Sequence, residues 1–160
     1  MKFCTTYYFI LLTIAFGCEQ KSNTLNKEKV TSEILNMFDN YHDAIKAGGV
    51  EAEFDYLDKS SDFFWVPPGY ESALSYDSVQ SILISNSKLI NTIEFSFDTI
   101  QIVPLTDSIA NYSGIVSGKM TDTTNTVSLF KIIESGTLIK REDGWKLLNG
   151  QSRNLQTSDH

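Results

Sequence analysis

A chain of 160 residues is one domain by size. With 41% hydrophobic and 21% charged residues, it has the composition of a packed core and not of a disordered chain. The formal charge of −7 and a pI near 4.7 argue against phosphate backbones and anionic lipid surfaces as partners, so no nucleic acid is expected.

Lys2 precedes an apolar run from Phe3 to Phe16, and polar chain begins abruptly at Glu19. The run is shorter than the ~20 residues of a membrane span and has the length of a signal-peptide core. Its end, Ile14-Ala15-Phe16-Gly17-Cys18, resembles a lipobox, with Ala15 and Gly17 as the small residues and Phe16 bulkier than usual. The resemblance implies cleavage before Cys18, lipidation of that cysteine and a place in the bacterial cell envelope, attached to the membrane by lipid. An ordinary signal peptide beside an incidental cysteine is the alternative. Cys4 and Cys18 are the only cysteines, so the mature chain has no pair for an internal disulfide and no thiolate metal site. The expected division is leader 1–17, polar tether 18–29, globular domain 30–152 and polar tail 153–160.

Val30, Ile34, Met37, Phe38, Tyr41 and Ile45 recur at spacings of three and four and predict a helix, capped by Thr31 or Ser32 and stopped by Gly48-Gly49. A second short helix over 50–57 should turn Phe54 and Leu57 inward. Asp62 to Val66 reads as a strand ended by Pro67-Pro68-Gly69. Tyr76 to Ser87 reads as a third helix, capped by Ser75 or Asp77, with Val79, Ile82 and Leu83 as its stripe. Four strands should follow, over 93–103, 108–120, 126–141 and 145–152, separated by hairpin turns. The expected class is α+β: three N-terminal helices packed on one face of a curved antiparallel sheet.

Three features give this order a resemblance. A Phe-rich strand, Phe63-Phe64-Trp65-Val66, follows the second helix. The loop Pro67-Pro68-Gly69-Tyr70 leads to the third. The chain then closes with Gly144-Trp145-Lys146-Leu147-Leu148-Asn149-Gly150-Gln151-Ser152. This resembles the cone-shaped fold of the nuclear transport factor two superfamily, whose members include ketosteroid isomerase, scytalone dehydratase and SnoaL-like proteins. The superfamily hosts enzymes, binding modules and assembly domains, so the residues must decide function.

The resemblance implies a carboxylate base at the end of the first strand, but Trp65-Val66-Pro67-Pro68 holds no acid. Where SnoaL-like members carry a histidine in the last strand, Asn149 and Gln151 stand, and neither is a base near neutral pH. His160 ends the chain, and His42 lies off the centre of the apolar stripe as a partly exposed surface residue. No metal set, cofactor or catalytic residue emerges. Trp65, Tyr70, Tyr112, Asn149 and Gln151 are the expected lining of a pocket for a small apolar or amphipathic ligand, without catalysis. An isomerase, dehydratase or cyclase using Glu94, Asp98 or a tyrosine is the enzymatic alternative. A homodimer or partner-binding domain using the open sheet face is the third.

Overall fold

The structure, a computed structural model, describes residues 24–155; the leader, Cys18, the first half of the tether and the tail end lie outside the described residues. Helix α1, Lys27–Gly48, buries Val30, Ile34, Met37, Phe38, Tyr41 and Ile45, the expected stripe. It begins three residues before Val30, because Asn26 and neither Thr31 nor Ser32 caps it: the Asn26 side chain accepts from the Lys29 amide at 3.0 Å. Gly49, at φ 77, ends the helix as expected; a side chain there would be strained.

Residues Val50–Asp55 form a 3-10 helix. The difference from an α-helix matters, because positions three apart then share a face: Val50 is buried and Glu53 follows it on the same side, half-buried as Phe54 is. Strand β1 is short, Phe64–Val66, and α2 spans Tyr76–Ser87, capped by Ser75. Strands β2 (Ile90–Pro104), β3 (Ile109–Asp122), β4 (Val127–Arg141) and β5 (Gly144–Asn154) form a meander.

The sheet order is β1-β5-β4-β3-β2. The hairpin pairs are antiparallel, but β1 joins β5 in parallel, because the chain crosses the whole sheet between them. Three irregularities interrupt the pairing, in β2 between Ile90 and Thr92 and between Phe97 and Thr99, and in β5 between Leu147 and Asn149. The core lies between α1 and the concave face, where Ile34, Phe38 and Ile45 meet Tyr112, Leu138 and Leu147. Gly150 sits where an added Cβ would come within 2.5 Å of the Trp65 indole, so its lack of a side chain is what lets that ring lie on the sheet.

An ion pair locks the base. Asp58, nearly fully buried, takes a two-point contact from Arg141, at 2.6 Å from Nε and 3.1 Å from Nη2. On the opposite flank, Lys140 and Trp145 Nε1 both donate to Glu33 Oε2, at 2.6 and 3.0 Å, tying α1 to the β4–β5 hairpin. Among the described residues no helix is long and apolar enough to cross a membrane.

Candidate functional site

Alternation along β4 turns Phe130, Ile132, Glu134 and Leu138 to the concave face, opposite in phase to the outward Leu129, Lys131 and Ile133. Glu134 is therefore carried into the cone. Glu53 reaches the same space from the 3-10 helix. Together with Tyr41, Trp65, Phe95 and Phe130 they line a partly open cavity of about 220 Å³ between α1, α2 and the sheet.

Tyr112 Oη donates to Glu134 Oε1 at 3.1 Å. Burial pushes the Glu134 carboxyl up to about 7; the Tyr112 hydrogen bond opposes this and the Glu53 charge adds to it. Burial likewise pushes Glu53 up to about 7, against a hydrogen bond with Tyr41. Both tyrosines are held well above their usual range, by burial first and by the neighbouring carboxylates second. The result is a carboxyl pair whose members are each part-protonated near neutrality. Such a pair offers a proton donor and a proton acceptor to one bound molecule.

Of the five residues expected to share a pocket, Tyr112, Asn149 and Gln151 border one outer depression, while Trp65 lines a separate cavity and Tyr70 joins neither. Trp65 lines the cavity, its Nε1 donating to Ser152 Oγ at 3.0 Å. Tyr112 is buried beneath it, its hydroxyl engaged by Glu134. Asn149 and Gln151 lie on the other face of the sheet, beside Phe64, Val66 and Ser135 in a shallow outer depression. The cause is the extra residue at Leu148: Leu138 pairs with Leu147, and Thr137 already with Asn149. Strict alternation from Trp145 and Leu147 would have carried Asn149 and Gln151 inward; the bulge sends Gly150 and Ser152 inward instead. Tyr70 is exposed on the loop before α2 and is 45% accessible.

Glu94 and Asp98, the acids of the enzymatic alternative, are exposed. Glu94 pairs with Lys46 at 2.9 Å and Asp98 with Lys131 at 2.8 Å. They supply no acid to the cone. His42 differs from expectation: its ring packs among Phe38, Tyr41, Phe95 and Phe97, and its Nε2 is buried without a partner. Burial holds it below the usual histidine range, against the pull of Asp39 and Asp43.

Glu53 and Glu134 escaped the sequence reading for separate reasons. An α-helical period over 50–57 places Phe54 and Leu57 inward and Glu53 aside. In β4 both alternating rows carry isoleucine, so the row with Glu134 reads equally well as the solvated one. The weak signal was that a single charge interrupts the row Phe130, Ile132, Glu134, Leu138.

No family model matches the chain, and no curated protein matches it. Solved structures do. A nuclear transport factor 2 superfamily protein from Salmonella enterica serovar Typhimurium aligns over 82% of this chain and 94% of its own, with a TM-score of 0.69 at 12% identity. LinA aligns over 81% and 88%, with a TM-score of 0.65 at 10% identity. A conserved protein from Planctomyces limnophilus aligns over 81% and 98%, with a TM-score of 0.64 at 13% identity. The fold is that of the nuclear transport factor two superfamily. At these identities the likeness concerns the path of the chain and not the chemistry. Within this nuclear transport factor two-like cone, the cavity side chains are this chain's own.

Proposed function

We propose that this protein binds one compact, mostly apolar molecule inside its cone, with Glu53 and Glu134 as the polar anchors. The observation that carries the reading is the partly open cavity of about 220 Å³ with two half-buried glutamates on its wall. The volume lies below the ~300 Å³ at which drug-sized pockets begin, so the occupant is small. A crystal structure of protein purified without added ligand tests it. Carried-over density against Trp65 and Glu134 is the expected result. A cavity holding only ordered water, with no small molecule released on denaturation, overturns it.

A second reading is favoured by the same carboxyls: proton transfer on the bound molecule, as an isomerase or dehydratase performs it. The sequence argument against catalysis rested on missing acids at the first strand and the last, and here the acids come from the 3-10 helix and β4. One carboxylate would take a proton while the other, as the acid, donates. An enzyme of this kind has a bell-shaped rate profile centred near pH 7 that collapses in both Glu53→Gln and Glu134→Gln.

Export and lipid attachment at Cys18 belong to the proposal as well; the apolar leader and the small residues before Cys18 support them. Labelling of the wild type by a fatty-acid analogue in a bacterial host, absent from Cys18→Ser, is the expected outcome. Equal labelling of both sinks that part.

A further inference from the structure

We propose that the occupant of the cone is a compact organic cation, a protonated amine carried on a small apolar body. The inference rests on the pocket reading above and names its ligand class.

The cavity wall is one-sided in charge. Glu53 and Glu134 border it, and no lysine, arginine or histidine does so among the described residues. The Glu53 charge weighs on Glu134, and the polar groups beside the two are uncharged: the Tyr41 and Tyr112 hydroxyls, with Asn86 and Ser152 on the same wall. These tyrosines use part of the hydrogen-bonding capacity. Glu134 Oε2 has no protein donor among the described residues. A neutral guest offers a donor but no compensating charge, and an anion adds charge of the same sign. An ammonium group supplies up to three donors and one compensating charge.

The remaining wall suits the rest of such a molecule. Tyr41, Trp65, Phe95 and Phe130 present aromatic surface, which attracts cations through the ring faces and accepts hydrocarbon equally well. A bare divalent metal fits poorly. It asks for six or more oxygens, and no group of three metal-binding side chains exists among the described residues.

Binding is therefore linked to protons. Below neutrality the carboxyls are largely protonated, so an entering ammonium must displace a proton and its affinity falls. Above neutrality it enters a site already ionised. One displaced proton gives a loss of about tenfold per pH unit on the acid side.

The test is calorimetric titration of the full chain with benzylammonium, benzyl alcohol and benzoate, three probes of nearly one shape. At pH 8 benzylammonium should bind at least tenfold tighter than benzyl alcohol, and benzoate should not bind. The advantage should shrink at pH 6 and disappear in Glu134→Gln, which keeps the acceptor for Tyr112. Binding of benzyl alcohol as tight as benzylammonium, unchanged in Glu134→Gln, overturns the cation and leaves the pocket reading standing. No binding of any probe at either pH overturns both.

Discussion

Two carboxyl groups define the chemistry at the scale of single residues. Glu53 and Glu134 are half-buried on a wall that gives each one hydroxyl partner, and the loss of water disfavours their charged forms, so that both sit at about 7 instead of 4.5. A group whose folded pKa is raised binds its proton more tightly when folded. Its penalty is absent below about 4.5, grows as pH rises and is complete above about 7. Replacing either by glutamine removes an ionisable group from that wall. Glu134→Gln is expected to raise stability at pH 8 by about 2 kcal/mol and to leave it nearly unchanged at pH 4.5, measured by denaturant unfolding at both values. Gly150 makes the opposite point. Gly150→Ala drives a methyl toward the Trp65 indole and the Ser135 carbonyl, each 2.5 Å from it. The expected cost is roughly 1–3 kcal/mol, with a shift in tryptophan emission as the ring leaves its site.

Among the elements, the last strand shows how one inserted residue decides a face. Leu148 is the extra position, and every side chain beyond it changes sides. Deleting Leu148 would remove the bulge yet leave Asn149 and Gln151 outward and Gly150 and Ser152 inward, because Leu147 would then be followed directly by Asn149 in strict alternation. We expect the chain to fold with a urea midpoint lowered by the lost bend, by about 1–3 kcal/mol, and with the Trp65–Ser152 contact and its tryptophan emission kept. Sequence reading located all four long strands to within three residues at each end, since β-branched runs and turn residues mark them locally. It could not locate the bulge, because Leu-Leu-Asn-Gly is as regular in composition as its neighbours. The 3-10 geometry of Val50–Asp55 escaped for a similar reason: six residues hold too few turns for their period to be read.

Across the whole molecule, two electrostatic elements act at different pH. Arg141 holds the Asp58 carboxyl down to about 2, and its hydrogen bonds with Ser60 reinforce this. A group with a depressed folded pKa contributes stability above its unfolded value of 3.8, which is lost as pH falls toward 2. The glutamate pair acts in the other direction, favouring the fold as pH falls from 7 to 4.5. Stability should therefore peak at mildly acid pH, about 5, and decline on both sides. A monotonic rise in melting temperature from pH 5 to 8 would contradict the buried carboxyls. Asp58→Asn should remove much of the acid-side loss and cost about 1–2 kcal/mol at pH 7, after allowing for the solvent reaching Arg141. Ile34, fully buried between α1 and the sheet, tests the unity of the core. Ile34→Ala is expected to cost about 2–5 kcal/mol in one cooperative transition seen alike by helix and tryptophan signals.

The sequence by itself determined the order of elements, the inward stripe of α1, the turns, and from these the cone. Each is set by local periodicity or by glycine and proline chemistry acting over a few residues. The tertiary structure decided which polar groups face inward, because that depends on a bulge, a 3-10 turn and the phase of β4 against its neighbours. Asn149 and Gln151 thus went to the outer face while Glu53 and Glu134 closed on one cavity. Their raised pKa values exist only there, since the loss of water that raises them comes from the assembled cone and not from any segment of the chain.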